Sequence, residues 1–163
     1  MKTCKIYKGA IIVNGSFVFE MLGGDFSTFA KGAYKHLGID YPKFFKMDAL
    51  SKLAFLGVEY LLEGFTAEEK EDLALVFANH SASLDTDLRH QETIQDPNNY
   101  YPSPAIFVYT LPNICLGEIA IRHHLRTESS FFIFDQYPTE FFTQYSQYLL
   151  QAGKAKKVLC AWV

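Results

Sequence analysis

The chain has 163 residues, a length that suits one domain with a sizeable buried core. Apolar residues make up 49% of it, aromatic residues 16% and charged residues 20%, which excludes disordered, collagen-like and low-complexity chains. Fifteen basic and eighteen acidic side chains leave a net charge of −3, so no overall positive field attracts nucleic acid, and we expect none to be bound.

The first predicted element is a β-hairpin. The run from Ile6 to Val13 is rich in β-branched and aromatic residues, which are typical of strands. Asn14-Gly15 is a strong turn signal, and Phe17–Phe19 follows it as the second strand of the hairpin.

An irregular stretch and then a helix are predicted to follow the hairpin. Residues 26–45 are expected to be irregular, because Gly32 and Gly38 would weaken a helix there. Asp48 is a preferred N-cap residue. Apolar residues three and four positions apart predict a helix from Asp48 to about Leu62.

The middle of the chain predicts one buried strand between helical segments. Thr66–Glu69 has the pattern of a capping box, with room for only a short turn after it. The continuous apolar run Leu73–Ala78 predicts a strand that is buried on both faces. Ser83–Ile94 predicts a short polar helix, and Leu111–Leu125 predicts a stronger one.

The C-terminal part predicts a strand, a helix and a last strand. Phe131–Phe134 is a short apolar strand, Pro138 suits the first turn of a helix that ends at Gly153, and Val158–Val163 is a buried strand. This alternation indicates a single α/β domain over residues 1–163, with a mainly parallel sheet covered by helices. Because the sequence ends on a strand of the buried type, we expect the chain to be part of something larger.

The three cysteines predict neither disulfides nor a zinc site. Cys4, Cys115 and Cys160 are widely spaced and form no Cys-x-x-Cys pair, so we expect each of them in the core. The N-terminus lacks the apolar centre of a signal peptide, and no apolar run reaches the about 20 residues of a membrane-spanning helix. We therefore expect a cytoplasmic protein without a membrane partner.

The remaining titratable clusters favour structural roles. His123-His124 cannot easily share one metal ion, because neighbouring side chains diverge on a helix, and the segment Arg122–Arg126 is better interpreted as a basic edge. Asp85–Asp87 with His90 is typical of helix capping. His80 follows a strand at the position where α/β sites form, although a satisfied turn histidine is the simpler interpretation. We expect neither a metal nor a cofactor.

The segment from Ser103 to Leu125 carries a family resemblance. Its residues Ser103-Pro104, Thr110–Asn113 and Gly117–Ile121 resemble the "SP…LPN…GEIAI" run in the N-terminal half of the β-ketoacyl synthases. Lys46–Ala54 looks like the first long helix of that family, and Gly153–Val163 looks like the strand that closes the first half of its thiolase-like fold. The resemblance implies half of a thiolase-like fold, with a mainly parallel mixed sheet of about five strands covered by helices.

The same resemblance implies that the family's catalytic residue is missing. In these synthases a nucleophilic cysteine begins the third helix, where the helix N-terminus lowers its pKa. Counting back from Gly153 by the family's helix length puts Gln136 at that position, and neither Asp135 nor Tyr137 would restore a nucleophile. A glutamine there is similar to the chain-length-factor subunits, which pair with an active ketosynthase. We therefore expect no catalytic residue in this chain.

The resemblance also implies a dimer strand. The short strand before the nucleophile helix pairs with its two-fold mate in that family, and an exposed apolar strand edge would otherwise be an aggregation hazard. The residues of the expected strand are Ser129, Ser130, Phe131, Phe132, Ile133 and Phe134. Its partner would be a second copy of this chain or a full-length ketosynthase.

Four functional hypotheses remain open at this point, and the last of them is an evolutionary remnant that folds but does little. The first is a non-catalytic partner or accessory subunit in fatty acid, polyketide or aryl-polyene type synthesis that depends on an acyl carrier protein. The second is half of a split 3-oxoacyl-carrier-protein synthase, completed by another chain that supplies the nucleophile. The third is a module that binds the acidic carrier protein through basic side chains, although such charges at helix ends need no function. These side chains are Arg122, Arg126, Lys154, Lys156 and Lys157.

Overall fold

The computed structural model describes residues 1–163. Its backbone divides into two compact units, Met1–Phe65 and Thr66–Val163. Each unit contains one three-stranded sheet with its own helices.

The first unit begins with an antiparallel meander of three strands. These are β1 (Cys4–Tyr7), β2 (Ala10–Val13) and β3 (Ser16–Glu20). The predicted single strand Ile6–Val13 was wrong, because Lys8-Gly9 turns the chain with φ angles of 48° and 78°. Asn14-Gly15 makes the second turn in the same left-handed conformation, as its sequence predicted.

Helix α1 (Phe26–Leu37) occupies the stretch that was predicted to be irregular. Asp25 caps its start by accepting the Thr28 N–H at 2.8 Å, and Gly38 ends it in the left-handed conformation at φ 63°. Because Gly32 has no side chain, Met21 and Phe19 approach α1 closely, and a Cβ at this position would collide with Met21 Cε and lie 3.1 Å from Phe19 Cζ. Packing outweighs helix propensity here, since one face of α1 is buried.

Helix α2 (Ala49–Leu62) lies where the sequence predicts it. Asp48 accepts the Ser51 N–H at 2.9 Å and caps the helix. A 3-10 turn, Pro42–Lys46, leads into it. The first unit is held by an aromatic core in which Phe44 and Phe55 are fully buried.

The second unit contains the parallel sheet. Strand β4 (Leu73–Asn79) is buried along its whole length and lies between β5 (Ser129–Ile133) and β6 (Lys157–Trp162), both parallel to it. The α/β class is therefore confirmed. The expected sheet of about five strands was too large, because the other three strands of the chain form the separate antiparallel sheet of the first unit.

The helices of the second unit cover this sheet and connect its strands. The helix Ile114–His123, which is α6, ends earlier than predicted because His124 adopts the left-handed conformation at φ 57°. The helices are α3 (Ala67–Lys70), α4 (Leu84–Glu92), α5 (Pro104–Phe107), α6 (Ile114–His123) and α7 (Thr139–Gln151), with a 3-10 turn at Val108–Thr110.

Helix α7 packs on one face of the parallel sheet. Its residues Phe142 and Leu149 are buried against Ala74, Val76 and Ala78 of β4. Aromatic rings of β5 and α7 extend this core toward the outer edge of β5. They are Phe132, Phe134, Phe141 and Tyr145.

No single helix of the chain is long and apolar enough to cross a membrane. One pair, Pro104–Thr110 with Ile114–His123, reaches the required length and composition only when the two helices are taken together, and they meet at a bend of 97°.

Candidate functional site

The carboxyl ends of the three parallel strands meet at one edge of the second unit's sheet. Phe134, just after β5, donates its backbone N–H to Asn79 O at 3.0 Å, and Val163, just after β6, donates to Ala78 O at 3.0 Å. We call residues 79–83, 134–138 and 162–163 the carboxyl edge. Sites in open parallel sheets form at such edges.

The turn between β4 and α4 is closed by the side chain of Asn79. Its Nδ2 donates to Ala82 O at 2.8 Å, and its Oδ1 accepts the Ala82 N–H at 2.8 Å. Ala82 adopts the left-handed conformation at φ 51°, an uncommon conformation for alanine. Asn79 was not among the predicted site residues. The signal for it was present, because asparagine at a strand end is typical of such turns.

His80 lies exposed in this turn. Its Nδ1 is 2.9 Å from Ser81 Oγ, so a local hydrogen bond engages one of the two ring nitrogens. The two side chains are neighbours in sequence, and no carboxylate orients the imidazole in the way that a catalytic triad would require. The arrangement is that of a turn histidine.

Gln136 also lies on the carboxyl edge, in the bend between β5 and α7. It is exposed, and α7 begins three residues later at Thr139. Pro138 occupies the N-cap position of this helix. A carboxamide neither forms a thiolate nor transfers a proton near neutral pH, so Gln136 offers no nucleophile and no general acid or base.

The three cysteines lie elsewhere. Cys115 is buried in α6, and Cys4 lies in the first unit, where burial raises the pKa of its thiol to about 11. Cys160 is exposed, so the prediction that each cysteine lies in the core was wrong for this residue, because β6 is not buried along its whole length. Its Sγ is 3.1 Å from Ser146 Oγ, and desolvation raises the pKa of its thiol as well. Each raised pKa keeps the thiol protonated at neutral pH. The structure therefore contains no activated thiolate at the carboxyl edge.

Strand β5 forms one edge of the sheet, with β4 on its inner side and no strand on its outer side. Ile133 is 57% exposed at its end, and Ser129 is exposed at its start. On the face toward α7, Ser130 Oγ donates to Glu128 Oε1 at 2.7 Å. The predicted dimer strand is thus an open β-edge that leads directly to Gln136.

The basic residues singled out from the sequence lie at the amino ends of the parallel strands, opposite the carboxyl edge. Arg122 and Arg126 precede β5, Lys154 and Lys156 precede β6, and Lys157 is the first residue of β6, so all five lie near the amino ends of the parallel strands and the structure does not bring them to Gln136. Lys154 lies over the ring of Tyr148 at 5.4 Å. The full set is Arg122, Arg126, Lys154, Lys156 and Lys157.

Two of these lysines are held by neighbours near the amino end of β4. Lys156 forms an ion pair with Asp72 at 2.5 Å, and Asp72 raises the pKa of this ammonium group. Lys157 Nζ donates to Glu69 O at 2.7 Å. The Asp72 carboxylate therefore compensates the charge of Lys156, whereas the partner of Lys157 is a backbone carbonyl.

The acidic and histidine clusters form no metal centre, since no group of three His, Cys, Asp or Glu residues in the chain is arranged to hold an ion. Asp85 and Asp87 lie in the first turn of α4, but its N-cap residue is Ser83 and makes no side-chain capping hydrogen bond, so the capping role predicted for this cluster was wrong. Asp87 Oδ1 instead lies 3.2 Å from Ser83 Oγ.

Comparison with known proteins identifies the fold. No family model and no curated protein matches the sequence. A solved structure described as the ishigamide ketosynthase/chain length factor superposes on 74% of this chain with a TM-score of 0.60 and 21% identity. This chain spans 37% of the length of that one. The second unit's parallel sheet and helices are consistent with half of a thiolase-like fold, the fold that the sequence resemblance predicted.

Proposed function

We propose that this chain is a ketosynthase-like accessory subunit that performs no catalysis by itself and pairs with another ketosynthase-type subunit through β5. Its pathway would be a synthesis that depends on an acyl carrier protein, of the fatty acid, polyketide or aryl-polyene type. The observation that carries the proposal is the open edge of β5, followed directly by Gln136.

The residue that the family resemblance puts at the nucleophile position supports a non-catalytic role. Gln136 is exposed on the carboxyl edge, and its carboxamide cannot form an acyl thioester. The thiols of Cys4 and Cys160 have raised pKa values, and Cys115 is buried. An acyl group would therefore have to be carried by a partner subunit.

The edge of β5 supports the pairing. An unpaired apolar strand edge is a template for another strand, and natural proteins usually cover it or pair it. Antiparallel pairing with a second β5, or with the corresponding strand of a full-length ketosynthase, would satisfy the edge and bury Ile133. The structural neighbour is itself described as a ketosynthase/chain length factor, which favours the heteromeric form.

An acyl carrier protein remains the second proposed partner. Of the basic side chains singled out for it, Arg126 is exposed and forms no ion pair, whereas Lys156 is paired with Asp72 and Lys157 donates to Glu69 O. Docking of the acidic carrier protein would thus rely mainly on the arginines near the C-terminal end of α6.

A second candidate function is half of a split synthase. This chain spans 37% of the structural neighbour described above, and another chain could supply the second half of a thiolase-like fold and complete a split 3-oxoacyl-carrier-protein synthase. The nucleophile would then come from the partner. The two candidates differ in one measurable property, since only the split synthase would condense acyl-carrier substrates after reconstitution with that half.

The test is an affinity pull-down from native extract with the tagged protein, followed by mass spectrometry. We expect a full-length ketosynthase or an acyl carrier protein to be recovered, and we expect the Ile133→Pro variant to lose the ketosynthase. The Ile133→Thr variant is the control. Recovery of neither partner, together with a monomer in sedimentation velocity at micromolar concentration, would contradict the proposal.

A further inference from the structure

The first unit carries a patch of positive charge in a protein that is acidic elsewhere. The first nineteen residues contain three lysines and no carboxylate, whereas the rest of the chain holds all eighteen carboxylates against twelve basic side chains. Lys2 is held at the end of α2, where its Nζ donates to Glu63 O at 3.1 Å. Lys5 lies in β1 and Lys8 lies just after it. Both side chains are exposed and form no ion pair.

These two lysines flank an exposed aromatic ring. Lys5 Nζ lies 5.1 Å and Lys8 Nζ 5.2 Å from the ring centroid of Tyr7, which is 55% exposed. Lys5 pairs in register with Ile12 and Ile12 with Phe17, so the three side chains form a row across one face of the sheet. Phe17 is 69% exposed. We call this surface, formed by Lys5, Tyr7, Lys8, Ile12 and Phe17, the lysine–tyrosine face.

An open depression of about 380 Å³ adjoins the lysine–tyrosine face. Tyr7 and Lys8 form part of its rim, so one ammonium group belongs to both features. Its apolar lining comes from β1, the segment after β3, α1 and α2. These residues are Ile6, Met21, Phe26, Phe29 and Leu53. The volume is large enough for one or two large apolar side chains.

We propose that the lysine–tyrosine face binds an acidic peptide segment that places one large apolar side chain in this depression. The carboxylates of the segment would meet Lys5 and Lys8, which no carboxylate of the chain neutralises. The exposed rings of Tyr7 and Phe17 provide the apolar area that aromatic residues contribute to protein interfaces.

The composition of the surface favours a peptide over a long polyanion. Two ammonium groups would release few counterions from nucleic acid, and the surrounding protein is acidic. The Asp25 carboxylate also lies at the depression, fixed by its hydrogen bond to the Thr28 N–H. A phosphate backbone crossing the depression would meet this negative charge, whereas an uncharged apolar side chain would not.

The test uses a short fluorescein-labelled peptide in which glutamates flank a central phenylalanine, with fluorescence anisotropy as the readout. We expect the Lys5→Gln/Lys8→Gln variant to lose about tenfold in affinity. The control variant Lys154→Gln/Lys157→Gln removes the same charge from the second unit, and we expect it to change affinity less than about twofold. Circular dichroism establishes that each variant is folded.

Three comparisons separate the proposal from its competitors. A peptide with glutamine in place of glutamate should bind about tenfold more weakly, and one with alanine in place of phenylalanine should bind several-fold more weakly. Absence of binding by the wild-type protein would overturn the proposal, as would equal loss in the control variant. Binding of labelled oligothymidylate or of phosphatidylserine vesicles in preference to the acidic peptide would also overturn it.

Discussion

The backbone N–H of Phe134 donates to Asn79 O at 3.0 Å and ties the end of β5 to the end of β4. At the other end, Leu75 donates to Glu128 O at 2.9 Å. Because successive residues of a strand direct their backbone groups to opposite sides, the even-numbered residues around β5 face β4. The backbone groups of Ser129, Phe131 and Ile133 therefore face the open edge.

This alternation allows a substitution that affects only the open edge. Ile133→Pro removes an N–H that points away from β4, and proline tolerates the extended backbone of an edge strand. We expect the variant to stay folded and to lose strand-mediated self-association or binding to a ketosynthase. Sedimentation velocity measures the change, and Ile133→Thr, which keeps the N–H, should associate normally. An unchanged association state in Ile133→Pro would exclude pairing through β5.

The sequence predicted the second unit better than the first, for a physical reason. Leu73–Ala78 is apolar without interruption, and only a strand buried on both faces explains such a run, so its prediction was nearly correct. Helix α1 was missed because Gly32 lowers helix propensity, while the packing that favours it involves Phe19 and Met21, more than ten residues away. Helix propensity depends on the local sequence and carries no information about that contact.

For a similar reason, the location of Gln136 in the candidate site was easier to predict than the surroundings of the basic residues. The sequence predicted Gln136 between a strand and a helix, and both elements are present. The charges were harder to interpret, because Lys156 and Lys157 are far in sequence from Asp72 and Glu69, and only the parallel register of β4 and β6 brings them together. The number of strands in the parallel sheet was overestimated because a strand's sequence does not specify which sheet it joins.

A cysteine at position 136 would report how accessible the carboxyl edge is. In the Gln136→Cys variant we expect iodoacetamide to modify the new thiol at neutral pH well before Cys4, which is partly buried, and before Cys160, which is exposed but whose thiol pKa is raised by desolvation. Peptide mass spectrometry measures each rate. Modification of Cys4 should increase as the pH approaches its pKa of about 11. If Cys160 reacted first at neutral pH, the argument that the native thiols are inert would be wrong.

In the turn that Asn79 closes, the backbone of Ala82 is strained, and a substitution can relieve this strain. Ala82 adopts φ 51°, which glycine reaches without the Cβ clash that alanine suffers. We expect Ala82→Gly to raise the free energy of unfolding by about 1 kcal/mol in urea titration. Ala152→Gly is the matched control, because Ala152 has a right-handed helical backbone at the end of α7, and this change should destabilise by about 0.5–1 kcal/mol. A loss of stability in Ala82→Gly would show that the Cβ of Ala82 contributes more through packing than it costs in strain.

The cap of α1 predicts a specific dependence on pH. The Thr28 N–H holds the pKa of Asp25 below its ordinary value, so the carboxylate is more acidic in the folded protein than in the unfolded chain. Its contribution to stability is complete above the unfolded pKa of about 3.9 and is lost as the pH falls through the lower folded pKa. Asparagine at this position also caps a helix but does not titrate. We therefore expect the melting temperature of the wild-type protein to fall more steeply below about pH 5 than that of Asp25→Asn, as measured by circular dichroism. Parallel curves for the two proteins would show that the ionised cap adds nothing to folding.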